Sequence, residues 1–415
     1  MATKLFSLEG KVLKLDSAED LYKHVQPLKD SGDVEEVRFQ GNTLGVEACK
    51  ALAAILETKQ SLRIANLADI FTGRLLSEIP TAIDALLKAL LKCPNLHTIN
   101  LNDNAFGLNT VEPLRPFLSQ HAPLQHLYLN NNGLGPQAGM YVAEALTALA
   151  EKKEKAGAPP LETVICGRNR LETGSMAAWS KAYEANKHVK VIRMVQNGIR
   201  QEGIALLLSA GLAHCSQLEV LDLQDNTFTA LASKTLSAVL PKLGAIKELA
   251  VGDCLLSARG GRYLGVALAK GTNAKLEVLR LQYNEIDEKG LKAITEAVES
   301  ESSLPRLRRV ELNGNKFNED DECIERLQTA LGKHKSLYTD LDEDDEELWG
   351  VDELDELEEP DSDDEDEDDT ALSEAEEEGE KIIKSDEAAE DEPVAQKKDA
   401  DVDELAQALG KTELK

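Results

Sequence analysis

Three consecutive asparagines, Asn130-Asn131-Asn132, give this 415-residue chain a run of side chains that could orient other polar groups. An amide donates and accepts hydrogen bonds at once, so it can fix the orientation of another polar group. Further amides, carboxylates and guanidiniums recur at related points of a repeating pattern, at Asn102, Asp103, Asn130, Arg168, Gln196, Asp225 and Asp253. Such groups bind and orient a partner, and we expect them to act in recognition.

Sequence patterns for catalysis by the chain alone are missing. Gly410-Lys411-Thr412 lacks the upstream glycine of a phosphate-binding loop, and neither H-E-x-x-H nor G-x-S-x-G occurs. The seven histidines are scattered, and the six cysteines form no C-x-x-C pair. We therefore expect no metal site, no cofactor of the chain's own, and cysteines that stay reduced as in the cytoplasm.

A repeated apolar pattern positions these side chains. L-x-x-L-x-L-x-x-N occurs ten times with substitutions, and its last position falls at residues 42, 70, 104, 132, 169, 197, 226, 254, 284 and 315. The intervals range from 28 to 37 residues, and most are 28 to 31. A near-constant period of this length predicts a leucine-rich repeat array.

Each unit is predicted to form a short parallel strand and then a helix, because apolar residues first alternate and then recur with helical spacing. The fold class is therefore α/β, a leucine-rich repeat horseshoe similar to ribonuclease inhibitor, with about ten repeats of 28 residues. The last asparagine of each unit is expected to turn inward and bond backbone groups. The residues between the core positions face the concave side, and such a polar strip is typical of a protein-binding surface.

Charge divides the chain into a body and a tail. The net charge of −30 comes mainly from residues 341–380, which contain 25 acidic and no basic side chains, and it leaves the body near neutrality. We predict an N-terminal cap over 1–32, with a strand-like piece at Lys11–Leu15 and a helix-like piece at Ala18–Pro27. The repeat domain follows over 33–340, and a disordered acidic tail over 341–415. Truncation after Asp340 is expected to leave melting almost unchanged.

Composition also limits the partners. A nearly neutral body argues against nucleic acid, which demands basic surfaces. The sequence has no apolar run that would span a membrane, and its start, Met1-Ala2-Thr3-Lys4-Leu5, lacks the apolar stretch of a signal peptide. We expect a soluble, cytoplasmic monomer.

Two positions depart from what the repeat requires. Asn132 occupies the inward position, whereas Asn131 lies at the exposed end of the strand, where repeat geometry alone favours a solvated polar residue. About six extra residues follow Ile70, and they place Arg74 on a protruding rim loop. Insertions on a repeat rim are often functional, although an exposed arginine is usually only solvated.

Several segments go beyond a generic repeat and resemble the Ran GTPase-activating protein family, particularly its fungal members. They are residues 68–74, 101–107, 127–139, 165–172, 194–199, 221–228 and 279–286. The resemblance covers roughly residues 1–340 and includes an acidic tail of the same kind. It implies a protein that switches off Ran, the small GTPase of nuclear transport, in the cytoplasm.

The resemblance also implies roles for residues. The residue matching Asn131 lies beside the catalytic glutamine of Ran, which then orients the attacking water, and no arginine finger is used. Arg74 matches a family arginine that docks the partner. Ran in its GTP form is the implied partner, GTP and Mg²⁺ belong to it, and the need for a Ran-binding accessory protein stays open. Partner binding is assigned to Arg74, Asn102, Asp103, Asn130, Arg168, Arg170, Gln196, Asp225 and Asp253.

One residue departs from the family pattern. Leu76 stands where that pattern has lysine, so one ion pair at the rim is expected to be missing. The main alternative is a scaffold or inhibitor that binds through the same surface without accelerating a reaction. An acidic leucine-rich nuclear protein is a second alternative, but such proteins use fewer and shorter repeats.

Overall fold

Alternating apolar residues in each repeat send one side chain inward and the next outward, which makes a short strand. The computed structural model describes residues 4–300, 302–335 and 349–358. Its strands are β1 (Leu5–Ser7), β2 (Lys14–Leu15), β3 (Glu36–Arg38), β4 (Thr43–Leu44), β5 (Ile64–Asn66), β6 (Thr98–Asn100), β7 (His126–Tyr128), β8 (Thr163–Ile165), β9 (Val191–Arg193), β10 (Val220–Asp222), β11 (Glu248–Ala250), β12 (Val278–Arg280), β13 (Arg309–Glu311) and β14 (Gly350–Val351). Within the described residues, twelve of them pair in parallel and in sequence order, while β2 and β4 form a separate pair.

A helix follows nearly every strand of the large sheet. The helices are α1 (Ala18–Asp30), α2 (Val46–Leu56), α3 (Ile79–Leu90), α4 (Val111–Gln120), α5 (Gly135–Ala156), α6 (Met176–Ala185), α7 (Gln201–Leu206), α8 (Thr229–Val239), α9 (Ser257–Leu268), α10 (Glu288–Glu299) and α11 (Glu322–Lys335). Consecutive helices pack on one another, and the space between them and the sheet is filled mainly by buried Leu, Ile, Val and Ala. The predicted α/β leucine-rich repeat fold is confirmed.

The inward asparagines tie each repeat to the one before it. Asn132 is fully buried, and its Nδ2 donates to the carbonyls of Leu129, in its own repeat, and Leu101, in the preceding one, at 3.1 and 3.0 Å. Its Oδ1 accepts from the backbone N–H of Asn104 at 3.0 Å. The structure confirms the predicted structural role, because the Asn104 N–H would otherwise be buried without a partner.

The N-terminal cap contains a strand that the sequence did not indicate. Helix α1 begins at the predicted Ala18, where Ser17 accepts from the N–H of Asp20 in a capping box. The strand-like piece is shorter than predicted and pairs with β4, whereas β1 supplies the first strand of the large sheet by pairing with β3. Three residues, Leu5–Ser7, are too few to show a periodicity.

The carboxyl end of the sheet corrects the predicted start of the tail. Residues 349–358, here called the strap, add β14 to the edge of β13. Asp352 then accepts from the N–H groups of Leu312 and Asn313 at 2.7 and 3.0 Å, and the Glu358 N–H donates to the Asn315 carbonyl at 2.9 Å. The prediction that residues 341–415 form no structure is therefore wrong for the strap, because its carboxylates satisfy edge N–H groups. The rest of the predicted tail, 341–348 and 359–415, lies outside the described residues.

Two truncations should separate the strap from the acidic residues that follow it. Ending the chain after Glu358 should leave the free energy of unfolding almost unchanged. Ending it after Asp340 should cost about 2–4 kcal/mol, since several edge hydrogen bonds are lost and each contributes about 1 kcal/mol. Chemical denaturation of the two truncated chains measures the difference. Coincident unfolding curves would show that the strap does not stabilise the array.

Buried polar side chains also hydrogen-bond to the backbone near the carboxyl ends of the helices. Asn186 Nδ2 donates to the Leu146 carbonyl at 3.0 Å, and Lys153 Nζ donates to the Ala122 carbonyl at 2.8 Å. His121 Nε2 donates to the Leu96 carbonyl at 2.7 Å, and its ring stacks on Phe117. Burial lowers the pKa of His121 to about 4 and that of Lys153 to about 8. These side chains form a second set of links between repeats.

The buried His121 should make stability fall in mild acid. Its folded pKa lies below the ordinary 6.5, so the unfolded chain takes up the proton first and gains stability as the pH falls from 6.5 towards 4. Between pH 7 and 5 this should cost about 2 kcal/mol. His121→Asn removes the titrating ring but keeps a donor of the kind found at Asn186. The variant should lose less stability over that range, and equal losses in denaturation at both pH values would contradict the assignment.

Candidate functional site

A row of backbone positions in the left-handed region marks the carboxyl edge of the sheet. Each belongs to the residue just before the inward position of its repeat, with φ between +45° and +74°. The members of this edge row are Gly41, Asp69, Asp103, Asn131, Arg168, Gln196, Asp225, Asp253, Tyr283 and Gly314. Seven of the ten are Gly, Asn or Asp, the residues that tolerate this conformation best. The chain turns here so that the next side chain can enter the core.

The edge row gathers six of the predicted site residues into one line. The N–H of Asp103 donates to the Asn130 carbonyl at 3.0 Å, and that of Asn131 to the Gly167 carbonyl at 2.9 Å. In the same way, a carbonyl of the following repeat accepts from the N–H groups of Arg168, Gln196, Asp225 and Asp253. The repeat pattern placed these residues in a strip but did not indicate their shared conformation. The signal was the frequency of Gly, Asn and Asp at that position.

Asn131 and its neighbour Asn132 have opposite environments. Asn132 is enclosed by backbone groups, whereas Asn131 is exposed at the end of its strand. Within the described residues, the side chain of Asn131 makes one hydrogen bond, from Nδ2 to Asp103 Oδ1 at 2.8 Å. Asp103 thus holds the amide in one orientation with the amide oxygen at the surface. This arrangement can present a fixed acceptor and a second N–H to a partner.

Asn102 and Asn130 brace the row from the sheet side. Both are half-buried. Asn102 Oδ1 accepts from the Asn130 N–H at 2.7 Å, and Asn130 Oδ1 accepts from the Gly167 N–H at 2.5 Å. Their amide oxygens therefore accept hydrogen bonds from backbone N–H groups of neighbouring repeats, which gives these two predicted partner-binding residues a structural role as well.

A pocket of about 400 Å³ opens beside Asn131. Its lining includes Asp103 and the apolar side chains of Leu76, Phe106 and Leu108. Leu76 is 65 % exposed and its neighbour Leu75 is 68 % exposed, which is unusual for leucine. From the sequence, Leu76 was distinguished only as the replacement of a lysine, because the exposure of a side chain cannot be read from residue type. The pocket combines a polar edge with an apolar wall.

A second pocket of about 450 Å³ lies farther along the row. It brings together Arg170, Gln196, Asp225 and Asp253, four of the predicted partner-binding residues. Burial, and then the nearby Asp253 carboxylate, raises the pKa of Asp225, while a hydrogen bond from Gln196 opposes the rise. Two carboxylates this close favour a cationic group of a partner between them.

Charges on the open face of the sheet, the face opposite the helices, compensate one another. Arg193 contacts Asp222 at 2.8 Å and Glu248 at 3.1 Å. Arg280 also contacts Glu248 and reaches Glu311 at 3.1 Å. These ion pairs neutralise the charge on the open face beside β9–β13. The charged groups that remain available for binding therefore lie in the edge row.

Arg74 does not protrude as predicted. Its side chain is only 10 % exposed and its guanidinium lies against Asp16 and Thr43. The prediction of an exposed arginine is therefore wrong, because partners from the cap and the first repeat enclose the side chain. In this arrangement the guanidinium is not at the surface to bind another protein directly.

In the part of the chain that the structure describes, no group of three or more His, Cys, Asp and Glu side chains is arranged to hold a metal ion. The helices described are also too short or too polar to cross a bilayer.

The fold and the edge row define a leucine-rich repeat protein with an oriented, exposed amide beside one pocket and a second pocket farther along the row. The Ran GTPase-activating protein 1 of Saccharomyces cerevisiae is 38 % identical over 334 residues, which are 79 % of this chain and 82 % of that protein. The chain belongs to the Ran GTPase-activating protein family.

The chain is also similar to other proteins. The Ran GTPase-activating protein of Drosophila melanogaster is 34 % identical over 79 % of this chain, which spans 54 % of the fly protein. A leucine-rich repeat family model matches residues 272–294. Among solved structures, an internalin from Listeria monocytogenes is 15 % identical with a TM-score of 0.41, covering 76 % of this chain and 87 % of the internalin.

Proposed function

We propose that this protein is a GTPase activator that acts on Ran in its GTP form and completes the active site of that GTPase without being a GTPase itself. Family membership supports the partner and the activity. The observation that carries the mechanism is the exposed Asn131 amide, held in one orientation by Asp103 at the edge of the sheet.

The proposed reaction step is orientation of the glutamine of Ran. One N–H of Asn131 is used by Asp103, which leaves the amide oxygen and the second N–H to contact the amide of that glutamine. The glutamine then aligns the water that attacks the γ-phosphate. Fixing both amides before the reaction supplies orientation in advance, and no arginine finger is required.

The rest of the edge row serves recognition. Asp225 and Asp253 suit a basic residue of Ran, while Arg168 and Arg170, both exposed, suit acidic ones. The pocket beside Asn131 suits an apolar side chain next to the glutamine. GTP and Mg²⁺ belong to Ran in this proposal, and the chain works as a cytoplasmic monomer that binds neither nucleic acid nor membrane.

Phosphate release from Ran·GTP tests the proposal. Catalytic amounts of the chain should accelerate hydrolysis by several orders of magnitude, up to the ~10⁵-fold known for GTPase activation. The chain without Ran should release no phosphate from GTP. Tight binding to Ran·GTP without acceleration would support the scaffold or inhibitor instead. Adding a Ran-binding protein to parallel reactions shows whether an accessory protein is needed.

A further inference from the structure

Arg74 connects the rim loop, residues 71–78, to the N-terminal part of the chain. Its Nε donates to Thr43 Oγ1 at 2.8 Å, Nη2 to the Thr43 carbonyl at 2.9 Å, and Nη1 to Asp16 Oδ1 at 2.5 Å. All three nitrogens of the guanidinium are therefore engaged. The hydrogen bond from Arg74 also holds the pKa of the Asp16 carboxyl below its usual 3.8.

The space around the guanidinium is closely fitted. A Cβ added at Gly45 would lie 3.2 Å from Arg74 Nη1 and 2.9 Å from the Asp16 carbonyl oxygen. Any larger residue at Gly45 would therefore push the cap and the arginine apart. The absence of a side chain at Gly45 allows the planar guanidinium to reach Asp16 and Thr43 at the same time.

The rim loop carries the apolar wall of the pocket beside Asn131. Phe71 anchors the start of the loop in the core, where its ring packs near that of Phe106. Arg74 anchors the middle, and the next two residues are the exposed Leu75 and Leu76. Because Leu76 lines the same pocket as Asn131, the position of that wall depends on the hydrogen bonds of Arg74.

We propose that Arg74 is a positioning residue, which acts through Asp16 and Thr43 to fix the rim loop so that Leu76 meets the partner beside Asn131. This rests on the proposed function. The residues that matter for activation then include Asp16 and Thr43, which lie in the cap and the first repeat. An arginine finger would have to leave all three acceptors, whereas a positioning arginine keeps them when the partner binds.

Single-turnover hydrolysis of Ran·GTP at increasing activator concentration separates the two roles. Arg74→Ala should raise the half-saturating concentration by about tenfold, since an unfixed loop must be ordered on binding. Asp16→Asn removes the charge of one partner but leaves both contacts to Thr43, so it should raise that concentration by a smaller factor. The saturating rate should stay within about twofold of wild type, because the groups that act in the transition state are untouched. Arg115→Ala, which removes a half-buried arginine of α4, is the control and should change neither quantity.

A double-mutant cycle tests whether Asp16 and Arg74 act as one unit. The Asp16→Asn, Arg74→Ala double variant should be no worse than Arg74→Ala alone, because Arg74→Ala already removes the contact that Asp16→Asn weakens. Additive effects would mean that Arg74 does something that does not pass through Asp16. A loss of saturating rate of ~10³-fold or more in Arg74→Ala, with Asp16→Asn like wild type, would make Arg74 a finger and overturn the proposal.

A measurement without Ran keeps this inference separate from the proposed function. Amide hydrogen exchange in residues 71–78 should speed up in both Arg74→Ala and Asp16→Asn, while exchange in β6–β9 stays slow. Unchanged exchange in the rim loop would overturn the positioning role even if the chain activates Ran. Faster exchange in a chain that fails to activate Ran would remove the proposed function but leave Arg74 as the residue that holds the loop.

Discussion

Replacing Asn131 by glycine should lower the saturating rate of Ran·GTP hydrolysis by ~10²–10³-fold, the usual cost of losing one oriented group in a transition state. The half-saturating concentration should change much less, since the contact with the glutamine matters most during the reaction. Glycine is the informative replacement because Asn131 has a φ of 52°. Glycine adopts that conformation freely, whereas alanine would add backbone strain.

Melting curves provide the control for the Asn131 experiment. Asn131→Gly should melt close to wild type, because the side chain supports no buried group. Asp103→Gly removes the acceptor that orients the amide and suits the φ of 61° at that position, and it should give a smaller loss of rate than Asn131→Gly. Full activity of Asn131→Gly at saturation would refute the mechanism, whereas a collapsed melting transition would show that the residue is structural.

Replacing the adjacent Asn132 by alanine should have the opposite consequence. The substitution leaves the buried Asn104 N–H without a partner, and the carbonyls of Leu101 and Leu129 each lose one of their two side-chain donors. An unpaired buried polar group costs about 1–3 kcal/mol and each lost hydrogen bond about 1 kcal/mol, so a loss of about 3 kcal/mol of stability is expected. The hydrolysis rate per folded molecule should remain close to wild type. Denaturation and single-turnover assays on this variant and Asn131→Gly together give the contrast.

Cys254 suggests a milder variant for comparison. It occupies the inward position of its own repeat, and its thiol contacts the Leu223 carbonyl at 3.4 Å. Asn132→Cys should therefore lose less stability than Asn132→Ala. If Asn132→Ala unfolds at the same denaturant concentration as wild type, the inward asparagine is not what links these repeats.

The repeat fold could be predicted from sequence because each unit repeats the same requirements. The inward position, the strand and the helix recur ten times, so a single ambiguous unit such as the one ending at Ile70 did not hide the pattern. The alternation also placed Asn131 at the surface and Asn132 in the core. By contrast, β1 and β14 are short strands at the two edges of the sheet, and edge strands carry little periodic signal.

The surroundings of Arg74 could not be predicted for a different reason. Asp16 and Thr43 lie 58 and 31 residues from Arg74 in the chain, and neither is at a repeat position that marks it as a partner. Whether an arginine on an inserted loop is solvated or enclosed depends on how that loop folds back. The positive φ of the edge row was hidden as well, because Arg168, Gln196 and Tyr283 adopt it without being typical of it.

In a parallel sheet of this kind, each strand has backbone N–H and C=O groups with which a further strand can pair. The sheet must end at the last repeat, because otherwise the backbone groups of β13 would remain free to pair with a strand of another molecule. The strap covers this edge with the two residues of β14. Three carboxylates follow, at Asp352, Asp355 and Glu356, and they contact Asn313 and Tyr283. Like charges on two identical ends repel each other. The strap therefore ends the series of parallel strands, and pairing of two copies through this edge of the sheet is disfavoured.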